Sequence, residues 1–203
     1  MNKLFLGFLI FITCKCLFAQ IPPGYYNDAN GSGFALKTQL HNIIDGHNSQ
    51  SYSNVWTFVE ANDLDKYFED DNTLLDIYSE NPTGADPYNF TVGNTRCGNQ
   101  SNEGDCYNRE HSFPASWFND GSPMFTDIHQ LFPTDGRVNN FRGNLPFGEV
   151  STPNFTSENG SLRGSSAISG YSGTVFEPID EFKGDLARVY FYMATRYEDV
   201  LSS

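Results

Sequence analysis

Residues 107–143 read as an extended piece, a second extended piece and a short helix, and this order restricts the fold more than any other stretch. The first piece, in "CYNREHSFPASWF", ends at His111, where Pro114 can open a brief helical turn holding Trp117 and Phe118. "FTDIHQLFP" predicts the second strand, over 125–133, with Asp127, His129 and Leu131 on one face and Ile128, Gln130 and Phe132 on the other. On such an apolar strand His129 is expected to be a satisfied core histidine. "TDGRVNNFRG" then predicts a short helix capped by Thr134 or Asp135 and ended by Gly143.

The flanking segments supply material to cover this unit. Leu36, Leu40, Ile43 and Ile44 recur at helical spacing ahead of Gly46, and a second amphipathic piece over 54–61 groups Val55, Trp56 and Val59. "TLLDIYS" predicts a strand and "NPTGADPY" a turn. The strongest helix lies in "EPIDEFKGDLARVYFYMATRYEDV", with Pro178 in its first turn and Phe182, Leu186, Val189 and Met193 as its apolar stripe. "DANGSG" imitates the start of a calcium loop through Asp28, Asn30, Ser32 and Gly33. Its twelfth position is Gln39, where a bidentate glutamate is required, so a helix lead-in is the better reading. The expected fold is α+β: a mixed fold in one domain, with a small sheet packed by helices. A hydrophobic fraction of 38% is a globular one.

The first residues stand apart. "MNKLFLGFLIFITCKCLFAQ" has a basic start at Lys3, an apolar run too short for a comfortable membrane span, and Ala19 as a small residue for cleavage. Residues 1–19 therefore read as a removable signal, with 20–203 as the mature domain. The rival, a lipid anchor on Cys14, is disfavoured by Thr13 ahead of it. The chain is expected to be exported, secreted or periplasmic, without stable membrane association. Loss of the signal leaves Cys97 and Cys106, which in an oxidising compartment predict one disulfide closing "CGNQSNEGDC" and pinning the strand that carries Glu110 and His111.

A net charge of −13 argues against a strong general nucleic-acid binder, but not against an enzyme that holds a polyanion briefly. Between 20 and 95 only Lys37 and Lys66 are basic, so a phosphate-facing surface belongs to the C-terminal half. There the strand–strand–helix unit offers a set of groups with a common use. Magnesium prefers oxygen ligands, and Glu110 supplies a charged one. Asn139, on the helix, adds a neutral oxygen that does not repel a phosphate. A neutral His111 can take a proton from water, and Arg142, one turn beyond Asn139, could grip the phosphate. In a regular strand Glu110 and His111 point to opposite faces, so one site can use both only where the strand ends or bulges.

At these residues a resemblance enters. "CYNREHSFPASWF", "FTDIHQLFPTDGRVNNFRGNLPFGEV", "ALKTQLHNIIDGH" and "FEPIDEFKGDLARVYFYMATRYED" resemble the bacterial endonuclease I family of secreted and periplasmic nonspecific nucleases. The resemblance covers about 24–199 and implies a ββα-metal (His-Me finger) site, with His111 as general base and Glu110 and Asn139 as ligands of Mg2+, or of Mn2+ or Ca2+ in its place. It implies an enzyme that cuts DNA, and often RNA, to 5′-phosphates; the chain is expected to be a monomer. The loop "NDGSPM" is shorter than in some relatives, which leaves phosphate neutralisation to Arg142 or to Arg188. The chain also ends at Ser203, soon after the long helix, so truncation at the C-terminus stays open. The alternatives are a non-catalytic extracellular binding module, to which 11 Tyr and 18 Phe would suit sugar stacking, or an inactive nuclease relative.

Overall fold

Leu36, Leu40, Ile43 and Ile44 form their expected helix, α1 (Gly33–Ile44), after a run of turns. The chain is seen here in a computed structural model that describes residues 21–98 and 100–201. The expected signal over 1–19 lies outside the described residues. The calcium-like "DANGSG" is a helix lead-in, as Gln39 foretold: its side chain accepts a hydrogen bond from the Gly31 backbone and donates to Asn30.

Helix α2 (Tyr52–Asn62) starts at Ser51, whose hydroxyl accepts from the Asn54 amide, and buries Val55 and Val59. The segment "TLLDIYS" departs from its expected strand. Only isolated bridges form there, Leu64 with Leu74 and Thr73 with Thr91. The Asp76 side chain accepts from the Tyr78 amide, and the amides of Ser79 and Glu80 turn back onto the Asp76 carbonyl. An aspartate that captures the backbone two residues on favours a turn over a ladder.

Two antiparallel strands follow, β1 (Tyr107–His111) and β2 (Leu131–Asp135), with Glu110 opposite Phe132 and His111 opposite Leu131. Their order with α3 (Gly136–Arg142) is the strand, strand, helix expected. β2 is shorter than predicted, because 3-10 turns at Met124–Thr126 and Ile128–Gln130 replace its first half. The turn swings Gln130 inward, where it donates to the Met124 carbonyl, and leaves His129 outside. His129 is therefore exposed against the edge of Tyr192, not the core histidine that strand alternation implied.

A second antiparallel sheet joins β3 (Val150–Thr156), β4 (Leu162–Ser166) and β5 (Thr174–Glu177) in that order. Pro153 sits in β3, an edge strand, where a missing N–H is tolerated. Helix α4 (Asp180–Arg196) then buries the predicted stripe of Phe182, Leu186, Val189 and Met193, and α5 (Glu198–Leu201) ends the described chain. Pro178 lies just ahead of the α4 N-cap at Ile179 instead of inside its first turn. The fold is α+β, as expected.

The ββα unit sits where four buried clusters meet. Val138 of α3 joins Ile77, Tyr78, Phe176, Phe182 and Leu186, and Leu131 of β2 joins Val55 and Val59. Tyr107 of β1 packs with Leu74 and Phe90. Phe132 touches both the first cluster and the one built on Phe113, Met124, Val189 and Met193. The unit cannot shift without disturbing several cores at once.

Candidate active site

Local chemistry sets the two ends of α3. Asp135 caps it, one carboxylate oxygen accepting from the amides of Arg137 and Val138, both at 2.8 Å, and the other from Gly104 at 2.9 Å. Gly143 closes it with φ of 55°, a conformation that favours glycine. At the first residue, Gly136, an added Cβ would come within 2.8 Å of the Gly98 carbonyl oxygen and 3.0 Å of Cys97 Sγ. The helix thus starts against the Cys97–Cys106 disulfide, which is present as expected. Cys97 and Tyr107 are joined by a backbone hydrogen bond of 2.9 Å, so the disulfide loop holds the root of β1.

β1 then presents two faces. On one, Asn108 and Glu110 meet α3. On the other, Arg109 and His111 meet the ring of Tyr52 on α2. The strand ends at His111, and a cleft of about 250 Å³ beside this end receives residues from both faces: Arg109, Glu110, His111 and Asn139 all line it, with Pro114 to Ser116, Gly143 and Asn144. The strand's end resolves the conflict between opposite faces and a single site.

Glu110 is 1% exposed. Its Oε1 accepts from the Tyr78 hydroxyl at 2.9 Å and from Arg142 at 2.7 Å. Among the described residues no donor bonds its second oxygen, Oε2. Burial holds the Glu110 carboxyl above the usual carboxylate range even though Arg142 and Tyr78 pull it down. Asn139 uses its amide nitrogen on Asn108 Oδ1 at 2.7 Å and Thr134 Oγ1 at 3.4 Å. Among the described residues no donor bonds its carbonyl oxygen. A carboxylate oxygen and an amide oxygen, each held by its other atoms and each in a residue lining the cleft, form a donor set suited to a hard divalent cation.

His111 is fixed in orientation and in tautomer. Its ring lies between Phe125 at 4.6 Å and Tyr52 at 5.9 Å, nearly parallel to both. Nε2 is 3.0 Å from the Phe125 carbonyl oxygen, which can only accept, so the proton resides on Nε2 and Nδ1 keeps its lone pair. Burial lowers the imidazole pKa below its ordinary value and Arg109 adds to this, while the Phe125 hydrogen bond opposes it. The neutral form is the resting one at pH 7.

The arginines divide differently from the sequence expectation. Arg142 is 1% exposed and does not line the cleft. Its guanidinium is turned inward, onto Glu110 and the carbonyls of His111 and Ser112 at 2.6 Å each, and lies over the Phe147 ring. Arg188 is exposed and paired with Asp185. The cation that does line the cleft is Arg109, stacked on Tyr52 and Trp56 and bonded to the Tyr52 carbonyl. Sequence reasoning passed over it, although the two-residue period of a strand puts Arg109 on the His111 face.

Comparison with known proteins places this geometry. Residues 32–203 match the endonuclease I family. An extracellular ribonuclease of Bacillus amyloliquefaciens is 38% identical over 178 residues, which cover 86% of this chain and 53% of that protein. An extracellular ribonuclease of Bacillus subtilis (strain 168) is 37% identical over 178 residues, covering 86% of this chain and 54% of that protein. The chain spans about half the length of these curated relatives. No solved structure matches it.

Proposed function

The chain belongs to the endonuclease I family, and on that premise we propose that it is an exported, metal-dependent, sequence-nonspecific nuclease that hydrolyses phosphodiester bonds. One observation carries the reading: the unbonded oxygens of Glu110 and Asn139 belong to residues lining the same cleft as a neutral, tautomer-fixed His111. Glu110 Oε2 and Asn139 Oδ1 would hold the metal, magnesium or in its place manganese or calcium. When bound, the metal would neutralise charge on the phosphate and on the leaving oxygen. His111 Nδ1 takes a proton from the attacking water, whose oxygen forms the new bond to phosphorus as the bond to the 3′ oxygen breaks, leaving a 5′-phosphate.

Arg142 acts by holding Glu110 in place and offsetting its buried charge, and Arg109 is the cation available to the phosphate. The proposed substrates are DNA and RNA; the names of the two relatives favour including RNA. No base-reading element lines the cleft, in keeping with contacts to phosphate and sugar alone. The disulfide and the relatives' extracellular character support export, and no helix among the described residues is long and apolar enough to cross a membrane. The enzyme is proposed to act as a monomer.

The test is cleavage of supercoiled plasmid and of a structureless RNA, with magnesium and with EDTA, by the mature chain and by its His111→Ala variant. Nicking that needs both magnesium and His111 supports the proposal. A folded chain that releases nothing from either polymer would leave a binding module or an inactive relative.

A further inference from the structure

The stretch from Asp63 to Asp86 holds eight acidic residues and a single basic one, Lys66. Lys66 is engaged by Asp70 and Asn72. Carboxylate oxygens of Asp65, Glu69 and Glu80 lie within 4.8 Å of one another. Two of the three are buried, Asp65 and Glu80 each at 1% exposure. None lines the His111 cleft.

Crowded acids alone would mean little, but Glu80 adds a separate observation. Its Oε1 is buried with no hydrogen-bond partner among the described residues, and the side chain belongs to the cluster. A buried carboxylate oxygen left unsatisfied is costly unless something absent from the protein itself completes it. Asp65 shows the contrasting case, its oxygens accepting from the amides of Tyr67, Phe68, Glu69 and Asp70. Those four bonds take up the carboxylate's four acceptor sites, so Asp65 is fixed in place and brings chiefly its negative charge to the cluster.

From this geometry we infer that Asp65, Glu69 and Glu80 form a second, structural cation site, selective for calcium over magnesium. Calcium is favoured because it takes oxygen ligands in flexible, irregular geometry, whereas magnesium needs a near-ideal octahedron and gives up its waters reluctantly. In the free protein, burial and then the charges of Asp86, Glu69 and Asp65 push the Glu80 carboxyl up to about 8, and Glu69 and Asp86 are raised as well. A bound cation relieves all of these at once. Glu80 lies two residues beyond Tyr78, whose hydroxyl holds Glu110, so the ion would tie the turn at 65–69 to the segment behind the active site.

The experiment is titration of calcium chloride into the metal-stripped mature protein, read by calorimetry and by Tm, for the wild type and for Glu69→Gln, Glu80→Gln and Asn139→Ala. The expected result is a calcium-dependent rise in Tm that Asn139→Ala retains and that Glu69→Gln, at an exposed position, weakens at least tenfold in calcium affinity. Glu80→Gln should abolish the rise while matching or exceeding the wild-type Tm in EDTA, because it replaces a buried carboxyl whose ionised form its surroundings disfavour with a neutral amide. Calcium binding that survives both glutamine variants, or that disappears with Asn139→Ala, overturns the inference, as does a wild-type Tm indifferent to calcium.

Discussion

Arg142 and Glu110 are a buried ion pair in which each side chain is almost wholly out of water, and such pairs are fragile to single removal. Arg142→Met should cost about 3–5 kcal/mol in urea unfolding, because it strands a buried carboxylate. Arg142→Lys restores a charge but not the planar fork that reaches Glu110, the His111 carbonyl and the Ser112 carbonyl together, so it recovers only part of the loss. Adding Glu110→Gln to Arg142→Met should return stability without returning cleavage. A double variant as unstable as the single one would show that Arg142 works by packing on Phe147 and not by pairing. His111 gives the other residue-scale expectation. Its folded pKa is depressed, and only the neutral ring can accept a proton, so activity should persist below pH 6.5 and be lost as pH falls through that lowered value. The pH profile of kcat/KM at saturating magnesium reads this directly. An acid limb above 6.5 would contradict the burial of the ring. His111→Ala should lower kcat at least about a hundredfold with oligonucleotide binding retained.

At the scale of elements, the parts legible in the sequence were those whose chemistry is local. Asp135 capping and Gly143 closing α3 need only their immediate neighbours, and so does the stripe of α4, whose period belongs to one segment. Glu110, His111 and Asn139 line one cleft, a meeting that the order strand, strand, helix predicts. What escaped was set from a distance. The first half of the expected second strand is bent into 3-10 turns around Asp127, which accepts from the hydroxyls of Tyr192 and Tyr197 far along the chain as well as from the nearby His129 amide. Alternation in "FTDIHQLFP" carries no trace of those tyrosines. Arg142 was read as reaching outward because its inward partners sit about thirty residues away on β1. The cap itself is testable. Asp135→Ala removes acceptors from Arg137, Val138 and Gly104 and should cost about 2 kcal/mol in denaturant unfolding. Since α3 carries Asn139, the same variant should raise the magnesium concentration needed for half-maximal cleavage. Lost stability with unchanged magnesium dependence would mean that Asn139 is held by Asn108 and Thr134 alone.

For the molecule as a whole, the proposed activity asks how a chain of net charge −13 could act on a polyanion. Most of its long-range field repels the substrate, and the N-terminal part contributes most of the imbalance, with only Lys37 and Lys66 against eleven acidic residues over 20–95. The cleft is built from residues beyond 108, and Arg109 is the one arginine or lysine among those lining it. Binding that displaces many counterions would show a steep loss of affinity with salt, about 0.9 of a logarithmic unit per phosphate contact for duplex DNA. A site with one facing arginine should instead give a log–log slope of kcat/KM against sodium chloride of only about −1, and not steeper than about −2. Screening of the acidic surface opposes even this, so at low ionic strength the rate should rise or stay flat before it falls. Arg109→Gln should flatten the falling limb and lower kcat/KM, whereas Arg188→Gln, at an exposed residue already paired with Asp185, should change neither. A wild-type slope near −5 would place the substrate across a basic surface outside the cleft and would remove Arg109 from its central position.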